Sequence, residues 1–187
     1  ALNVNLCLVL SCEEERSGNG GMAALQDFVK DEIAFAIVGE PTSMQAAIAE
    51  RGLLVIDAYA EGVAGHAAHG NGVNAIYKAL EDIEKIGRFH YPRVSRTMGD
   101  IRLSVTQIEA GTAHNVIPDK CHFVIDVRLT DAYLPEEALE VLQKEVTSKL
   151  VPRSLKNKAS ISPLAEGYPN LEGIETFISG TTSDWVS

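Results

Sequence analysis

The sequence LLVIDAYA at Leu53–Ala60 decides the fold, together with two runs of the same kind, IRLSVTQIE at Ile101–Glu109 and CHFVIDVRLT at Cys121–Thr130. Polar and apolar residues alternate along much of each run. Alternation with a period of two is typical of a strand with one face in the core and one in water, and such strands usually pair antiparallel. The three runs therefore predict an antiparallel sheet with one buried face.

Two amphipathic helices are predicted beside this sheet. NAIYKALEDIEKI at Asn74–Ile86 has apolar residues along one face and acids and lysines along the other. PEEALEVLQKEVTSKL at Pro135–Leu150 begins with a proline, which suits a first helical turn, followed by glutamates that favour the positive end of the helix dipole. The order strand, helix, strand, strand, helix is close to a ferredoxin-like layout.

The residues before this unit have a different pattern. LNVNLCLVLS at Leu2–Ser11 and AFAIV at Ala34–Val38 predict short strands buried on both faces, and MAALQDFVK at Met22–Lys30 predicts a helix between them. A strand, a helix and a strand in succession form a βαβ unit, which implies a parallel sheet with functional loops at the carboxyl ends of its strands.

The sequence therefore predicts an α/β unit in two parts, residues 1–44 and 152–187, with a complete α+β unit inserted at residues 45–151. After Leu150 the prolines and glycines are scattered and no period is sustained. The chain opens directly into a strand-like run without an initiator methionine and stops where a helix could begin. We expect it to be a partial chain from within a longer protein.

Composition excludes several classes of partner. The chain has 26 acidic residues against 16 Lys and Arg, a net charge of -10, which argues against binding to nucleic acid or to anionic membranes. No apolar run approaches the roughly 20 residues that a membrane-spanning helix needs. Cys7, Cys12 and Cys121 share no CxxC spacing, so neither a disulfide framework nor a thiolate zinc site is predicted, and we expect a reducing, cytoplasmic location.

Carboxylates follow both predicted strands of the first unit. Glu13, Glu14 and Glu15 come after the first strand, where their mutual repulsion would require a metal ion or an arginine unless they form a solvated turn. Glu40 follows the second strand and precedes Pro41. A lone glutamate before proline is usually part of a turn, but neighbouring parallel strands would bring Glu40 close to the triplet, as in an oxygen-rich dinuclear metal site.

The inserted unit contains histidine turns that could reach a ligand. His66 stands among small residues in GHAAH, three positions before His69, and Asn115 follows His114 in a turn between two predicted strands. A histidine flanked by glycine and alanine can approach a ligand closely. The alternative interpretations are a surface or capping pair for the histidines and an ordinary β-connection for the turn.

Two arginines complete the set of candidates. Arg128 lies among apolar residues in VIDVRLT, where an unpaired guanidinium would be costly, so we expect it to contact an anion or Asp126. Arg51, before Gly52, could act similarly or could be an exposed turn residue.

Six motifs in order resemble the zinc aminoacylase and carboxypeptidase family (peptidase family M20), which includes acetylornithine deacetylases, succinyl-diaminopimelate desuccinylases and glutamate carboxypeptidases. They cover nearly the whole chain: LVLSCEEERSG, IVGEPT, AERGLLV, GVAGHAAHGNGVNAI, GTAHNVIPDKCHFVIDVR and SGTTSD. Their wording is most similar to acetylornithine deacetylase-type members. The resemblance implies a parallel-sheet zinc-peptidase catalytic domain, partial here, with an inserted ferredoxin-like α+β dimerisation domain.

The resemblance also implies roles for single residues. Glu14 matches the family's general base, Glu15 a ligand of one zinc ion and Glu40 a ligand of the other. His66 matches the histidine that reaches into the partner subunit's active site and stabilises the oxyanion.

The remaining matches are to substrate-binding positions. Asn115 and Arg128 match substrate-positioning residues, with Arg128 suited to a carboxylate through its bidentate geometry, and Arg51 is a weaker candidate for a carboxylate contact. A substrate-lining loop matches Gly180, Thr181, Thr182 and Ser183.

The activity implied is that of a dizinc amidohydrolase, with cobalt as an alternative metal, which releases the acyl group from an N-acyl amino acid. The substrate implied is N-acetyl-L-ornithine, as in arginine biosynthesis, and the partner is a second copy bound through the inserted domain. The family's His-x-Asp, bridging aspartate and last histidine have no match here, so we expect the isolated chain to bind zinc weakly and to be inactive. The alternatives are a succinyl-diaminopimelate desuccinylase, a dipeptidase-like relative, or a non-catalytic dimerising fragment.

Overall fold

A computed structural model describes residues 6–10, 21, 24, 33, 36–162, 165 and 173–182. The elements in chain order are β1 (Ala46–Glu50), β2 (Gly52–Glu61), β3 (Gly65–His66), α1 (Ala75–Arg88), β4 (Arg102–Ala110), β5 (Val116–Ile117), β6 (Lys120–Leu129), α2 (Pro135–Glu145), β7 (Lys149–Pro152), β8 (Ser160–Ile161) and β9 (Thr176–Ser179).

The central element is a four-stranded sheet with the strand order β4-β6-β2-β7. Every neighbouring pair in it is antiparallel. Together with α1 and α2, the four strands make the βαββαβ order of a ferredoxin-like unit. The predicted α+β unit and its long antiparallel strands are confirmed.

The core lies between one face of this sheet and the two helices. Leu54, Ile56 and Ala58 of β2 alternate into it, and Ile56 pairs with Ile125 of β6. Phe123 on β6 is fully buried beside them. The period-two pattern of the sequence thus separates a buried face from an outer face that carries polar side chains.

Helix α1 begins where its sequence provides a cap. The Asn74 side chain accepts a hydrogen bond of 2.9 Å from the backbone N–H of Ile76, which satisfies one of the free donors of the first turn. Ala75 and Ala79 are buried against the sheet. Small side chains on this face let the helix backbone approach the strands closely.

Helix α2 ends earlier than its sequence pattern predicts. It stops at Glu145, Val146 has an extended backbone, and Lys149–Pro152 form the edge strand β7 instead of a last helical turn. The reason is a buried carboxylate on α1: Asp82 accepts hydrogen bonds from the backbone N–H and hydroxyl groups of both Thr147 and Ser148. These tertiary contacts outweigh the helical preference of the segment.

A second sheet contains β1 between β8 and β9. The pair β1–β9 is parallel and the pair β1–β8 is antiparallel. Strand β1, which the predicted boundary at residue 45 assigns to the inserted unit, therefore pairs with segments that follow that unit.

The predicted strands of the first unit are not formed where the structure describes them. Residues 6–10 and 36–40 are irregular and largely exposed, with Leu6 88% and Ile37 87% exposed. A buried strand needs neighbouring strands for its backbone groups, and the described residues provide none here. The predicted helix at Met22–Lys30 lies outside the described residues except at residue 24.

Candidate functional site

The outer face of the four-stranded sheet, opposite the helices, carries charged side chains among apolar ones. Alternation along β2 and β6 puts Asp57, His122, Asp126 and Arg128 on this face. Each of these side chains is only partly exposed, at 18%, 32%, 25% and 30% respectively. Partly buried charges need partners, and the structure provides them.

Arg128 forms a two-point ion pair with Asp126, as its sequence context predicts. Its Nε donates to Oδ1 at 2.8 Å and its Nη2 donates to Oδ2 at 3.0 Å. The pair fixes the plane of the guanidinium and leaves its other terminal nitrogen outside the Asp126 contact. An oriented guanidinium of this kind can donate to a further carboxylate.

Arg51 lies beneath this corner of the sheet, where it makes structural contacts. Its side chain is buried and donates to the backbone carbonyls of Met98, Asp100 and Arg128. Burial and the nearby Arg102 lower its pKa. These contacts tie the loop before β4 to the end of β6, and they do not support the predicted carboxylate contact of Arg51.

The histidine turn is held beside the turn that carries Asn115. His66 on β3 pairs with Val116 on β5, and the backbone N–H of Ala67 donates to the carbonyl of Asn115 at 3.0 Å. The backbone N–H of Ala68 donates to Nδ1 of His66 at 3.2 Å. In the neutral ring this contact puts the proton on Nε2, so His66 presents an exposed N–H donor.

The structure brings His66 and Asn115 together but separates them from Arg128. The β3–β5 pair, which holds His66 beside Asn115, lies next to Lys120, the first residue of β6. Arg128 is eight residues further along that strand. At about 3.3 Å per residue the separation along the strand is about 26 Å. These side chains cannot contact one small molecule within a single copy of the chain.

The other predicted site residues lie around β1 or outside the described residues. Glu40 is exposed in the irregular segment before β1. Gly180, Thr181 and Thr182 follow β9, where the Ser179 hydroxyl accepts from the Thr181 backbone N–H at 3.2 Å. Glu14, Glu15 and Ser183 fall outside the described ranges.

The described residues do not assemble a metal centre. Among them, no group of three or more His, Cys, Asp or Glu side chains is arranged to hold a metal ion. Glu40 is the one predicted metal ligand within the described ranges, and it is exposed. The residues that the structure describes therefore do not form the predicted dizinc site by themselves.

One cluster on the outer face was not predicted. The Asp57 carboxylate accepts two hydrogen bonds from Arg153, at 2.8 and 2.9 Å, and contacts Nε2 of His122 at 2.8 Å. Arg153 above all, and then His122, hold the pKa of Asp57 well below its usual range. The signal in the sequence is the alternation that exposes Asp57 and His122 on one face, but their pairing depends on strand register.

Comparison with known proteins agrees with this fold. A family described as the peptidase dimerisation domain of M20 matches residues 48–154. The matched range contains the four-stranded sheet and both helices, so the fold and the match together define the class of protein. The chain belongs to the M20 peptidase family.

Two curated relatives have related activities in their names. An acetylornithine deacetylase of Myxococcus xanthus is 28% identical over 149 residues, which are 76% of this chain and 39% of the relative. A succinyl-diaminopimelate desuccinylase of Paracoccus denitrificans is 29% identical over 139 residues, 69% of this chain and 36% of the relative. The chain thus spans well under half the length of these relatives.

Solved structures support the fold. Aminopeptidase PepT from Bacillus cereus is similar with a TM-score of 0.64 at 18% identity, over 94% of this chain and 51% of that one. A tripeptidase from Staphylococcus aureus is similar with a TM-score of 0.56 at 16% identity, over 76% of this chain and 41% of that one. Within the described residues, no helix is both long and apolar enough to cross a membrane.

Proposed function

We propose that this chain is part of an M20-family amidohydrolase that cleaves the amide bond of an N-acyl amino acid. The residues of the six sequence motifs favour N-acetyl-L-ornithine as substrate, with ornithine and acetate as products. A second candidate is an N-succinyl amino acid such as N-succinyl-diaminopimelate, which the similarity to a desuccinylase supports. The observation that carries the proposal is the pair of oriented donors at Arg128 and His66.

Arg128 binds the α-carboxylate of the substrate in this proposal. Asp126 holds the guanidinium in a fixed plane on a partly buried face. A fixed, partly desolvated guanidinium binds a carboxylate more strongly than a mobile one because less side-chain freedom is lost.

His66 stabilises the oxyanion that forms when water attacks the amide carbon. The contact from Ala68 to Nδ1 leaves Nε2–H as the donor, which is the form that oxyanion stabilisation requires. Because about 26 Å along β6 separates the two ends of this surface, we expect His66 of one copy and Arg128 of another to complete a site together.

The acid–base step is assigned to Glu14 from the family motif. Glu14 would accept a proton from the attacking water and return it to the leaving amine as the carbon–nitrogen bond breaks. The motif assigns Glu15 and Glu40 as ligands of zinc in the whole protein, and substrate contacts to Asn115 and to Gly180, Thr181, Thr182 and Ser183. Bound zinc would lower the pKa of water.

The proposal is tested on the longer protein by measuring the release of free amine from N-acetyl-ornithine, N-succinyl-diaminopimelate and a dipeptide. We expect Arg128→Gln to raise KM roughly tenfold or more and His66→Ala to lower kcat by about a hundredfold. Arg88→Gln, which removes an exposed charge on α1, serves as control. Absence of hydrolysis with every substrate in the zinc-loaded protein would support the non-catalytic alternative.

Two copies of the chain associate through α1 and β4 in this proposal. β4 is an edge strand of nine residues with unpaired backbone groups on one side. Tyr77 and Leu80 on α1 and Ile108 on β4 are 67%, 49% and 53% exposed. An open strand edge next to exposed apolar side chains suits pairing with a second copy.

Sedimentation of the chain tests the association. We expect the chain to sediment as a dimer and Leu80→Glu to shift it toward monomer, because the substitution buries a charge in the interface. Val94→Glu changes an exposed valine in the loop after α1 and should leave the dimer intact. Equal behaviour of the two variants would contradict the assignment of this surface.

A further inference from the structure

Arg102 and Arg128 stand opposite each other on neighbouring strands. They are register partners in the antiparallel pair β4–β6, so both side chains lie on the outer face of the sheet. Side chains paired in this way start about 5 Å apart at Cβ, and like charges there destabilise the sheet. The buried Arg51 guanidinium lies near enough for Arg102 to lower its pKa. Arg102 and Arg128 are therefore neighbours on the outer face, with Arg51 buried near Arg102, in a chain with a net charge of -10.

Among the described residues, Asp126 pairs with Arg128 and the charge of Asp100 acts on the buried Arg51, so two carboxylates stand against three guanidinium groups. Asp126 is engaged with Arg128 at two points. The residue opposite Asp126 on β4 is Ser104, which carries no charge. Within the described part of the chain, Arg102 forms no ion pair, and its side chain is exposed at the start of β4.

We propose that Arg102 is a second anion-binding residue beside Arg128 and that it selects substrates with two carboxylates. This inference rests on the proposed function, because it assigns the first carboxylate to Arg128. The second carboxylate belongs to the acyl group or to the amino-acid side chain, on a short linker that lets both groups reach facing guanidiniums. The same charge repels a cationic side chain, so the inference favours an N-succinyl substrate over N-acetyl-ornithine.

The binding part of the inference is tested with simple anions on the 187-residue chain. Succinate and acetate are titrated into 15N-labelled protein while the arginine Nε–H resonances are followed by NMR. We expect succinate to bind roughly tenfold more tightly than acetate, the factor of one added charge-assisted hydrogen bond, and to shift the Arg102 and Arg128 signals. Arg102→Gln should reduce succinate affinity to that of acetate and leave acetate affinity unchanged.

Arg88→Gln is the matched control, since it removes the same charge from an exposed site paired with Glu84 on α1. If Arg102→Gln and Arg88→Gln lose the same succinate affinity, the effect is due to the net charge of the chain and the inference is overturned. Equal affinities of succinate and acetate for the unaltered chain would overturn it as well.

Turnover in the longer protein separates this inference from the proposed function. We expect Arg102→Gln to lower kcat/KM for an N-succinyl substrate roughly tenfold through KM, and to leave kcat/KM for the N-acetyl analogue unchanged or higher. If the unaltered protein and the Arg102→Gln variant hydrolyse the N-succinyl and N-acetyl substrates with the same preference, the inference is overturned and the proposed function stands. Selective succinate binding without hydrolysis of any substrate would overturn the function and keep the anion site.

Discussion

We expect the loss of Asp82 to lower the free energy of unfolding strongly. Its carboxylate is 1% exposed and accepts from two backbone N–H groups and two hydroxyl groups, with the shortest contacts to Ser148 at 2.7 Å. Burial on its own raises the pKa of Asp82, but the hydrogen bonds from Ser148 and Thr147 outweigh burial and lower it. The charged form therefore belongs to the folded protein.

Replacing Asp82 by Ala should lower the free energy of unfolding by about 3 kcal/mol, because it leaves buried donors without acceptors. Urea unfolding followed by circular dichroism measures the loss. The control is Glu81→Ala, which removes an exposed carboxylate from the neighbouring position of α1. A loss below that of the control variant would contradict the structural role.

Asp57 should make stability fall in acid. The pKa of Asp57 is lowered in the folded state by Arg153 and His122, so its charged form stabilises the fold above the unfolded pKa near 4, and this contribution is lost as the pH falls toward the folded value. We expect Asp57→Asn to flatten the decline of unfolding free energy between about pH 5 and about pH 2. Asp131→Asn, in the exposed turn after β6, should leave the slope unchanged.

Ion pairs within one strand can be predicted from the sequence, whereas ion pairs that depend on strand register cannot. The pairing of Arg128 with Asp126 is predictable because the two residues are two positions apart on the same face of β6. Asp57 and its partners are 65 and 96 residues apart, and the sequence gives no sign of that register. The sequence predicts an exposed turn or a carboxylate contact for Arg51, whereas in the fold its side chain is buried and donates to carbonyl groups.

Substitutions at two glycines test the close backbone contact that follows β2. A Cβ at Gly62 would lie 2.0 Å from the carbonyl oxygen of Val73, whereas a Cβ at Gly87 in α1 meets nothing within 4 Å. We expect Gly62→Ala to destabilise the chain by about 2 kcal/mol or more, and Gly87→Ala to stabilise it by about 0.5 kcal/mol through higher helix propensity. Thermal unfolding of both variants measures the difference. Equal melting temperatures would contradict the contact.

Helix ends are harder to predict from the sequence than the helices and strands themselves. The amphipathic period predicts α1 from Asn74 to Ile86, and the structure begins it at Ala75, directly after its Asn74 cap. For α2 the same period continues through residues 146–150, although the chain there turns to bond Asp82 and to form β7. A periodic pattern does not reveal a distant carboxylate that captures the next N–H groups.

At the scale of the whole molecule, the sequence predicts the inserted unit but not the structure of the described residues that precede it. Alternating strands and amphipathic helices specify their own partners within about a hundred residues, as the family match to 48–154 reflects. The apolar runs at 6–10 and 36–38 depend on neighbouring strands for burial, and in this structure they are exposed. Their local sequence therefore could not determine their structure.

The two connections to the four-stranded unit run side by side. Glu50 pairs with Ser160, the Leu53 N–H donates to the carbonyl of Asn157 at 3.0 Å, and Gly52 has no room for a Cβ against that carbonyl at 2.6 Å. A segment whose two ends lie side by side can be inserted by recombination into a surface loop of an unrelated protein without distorting either structure. We expect residues 51–158, grafted into such a loop, to keep the amide NMR spectrum that they have in this chain.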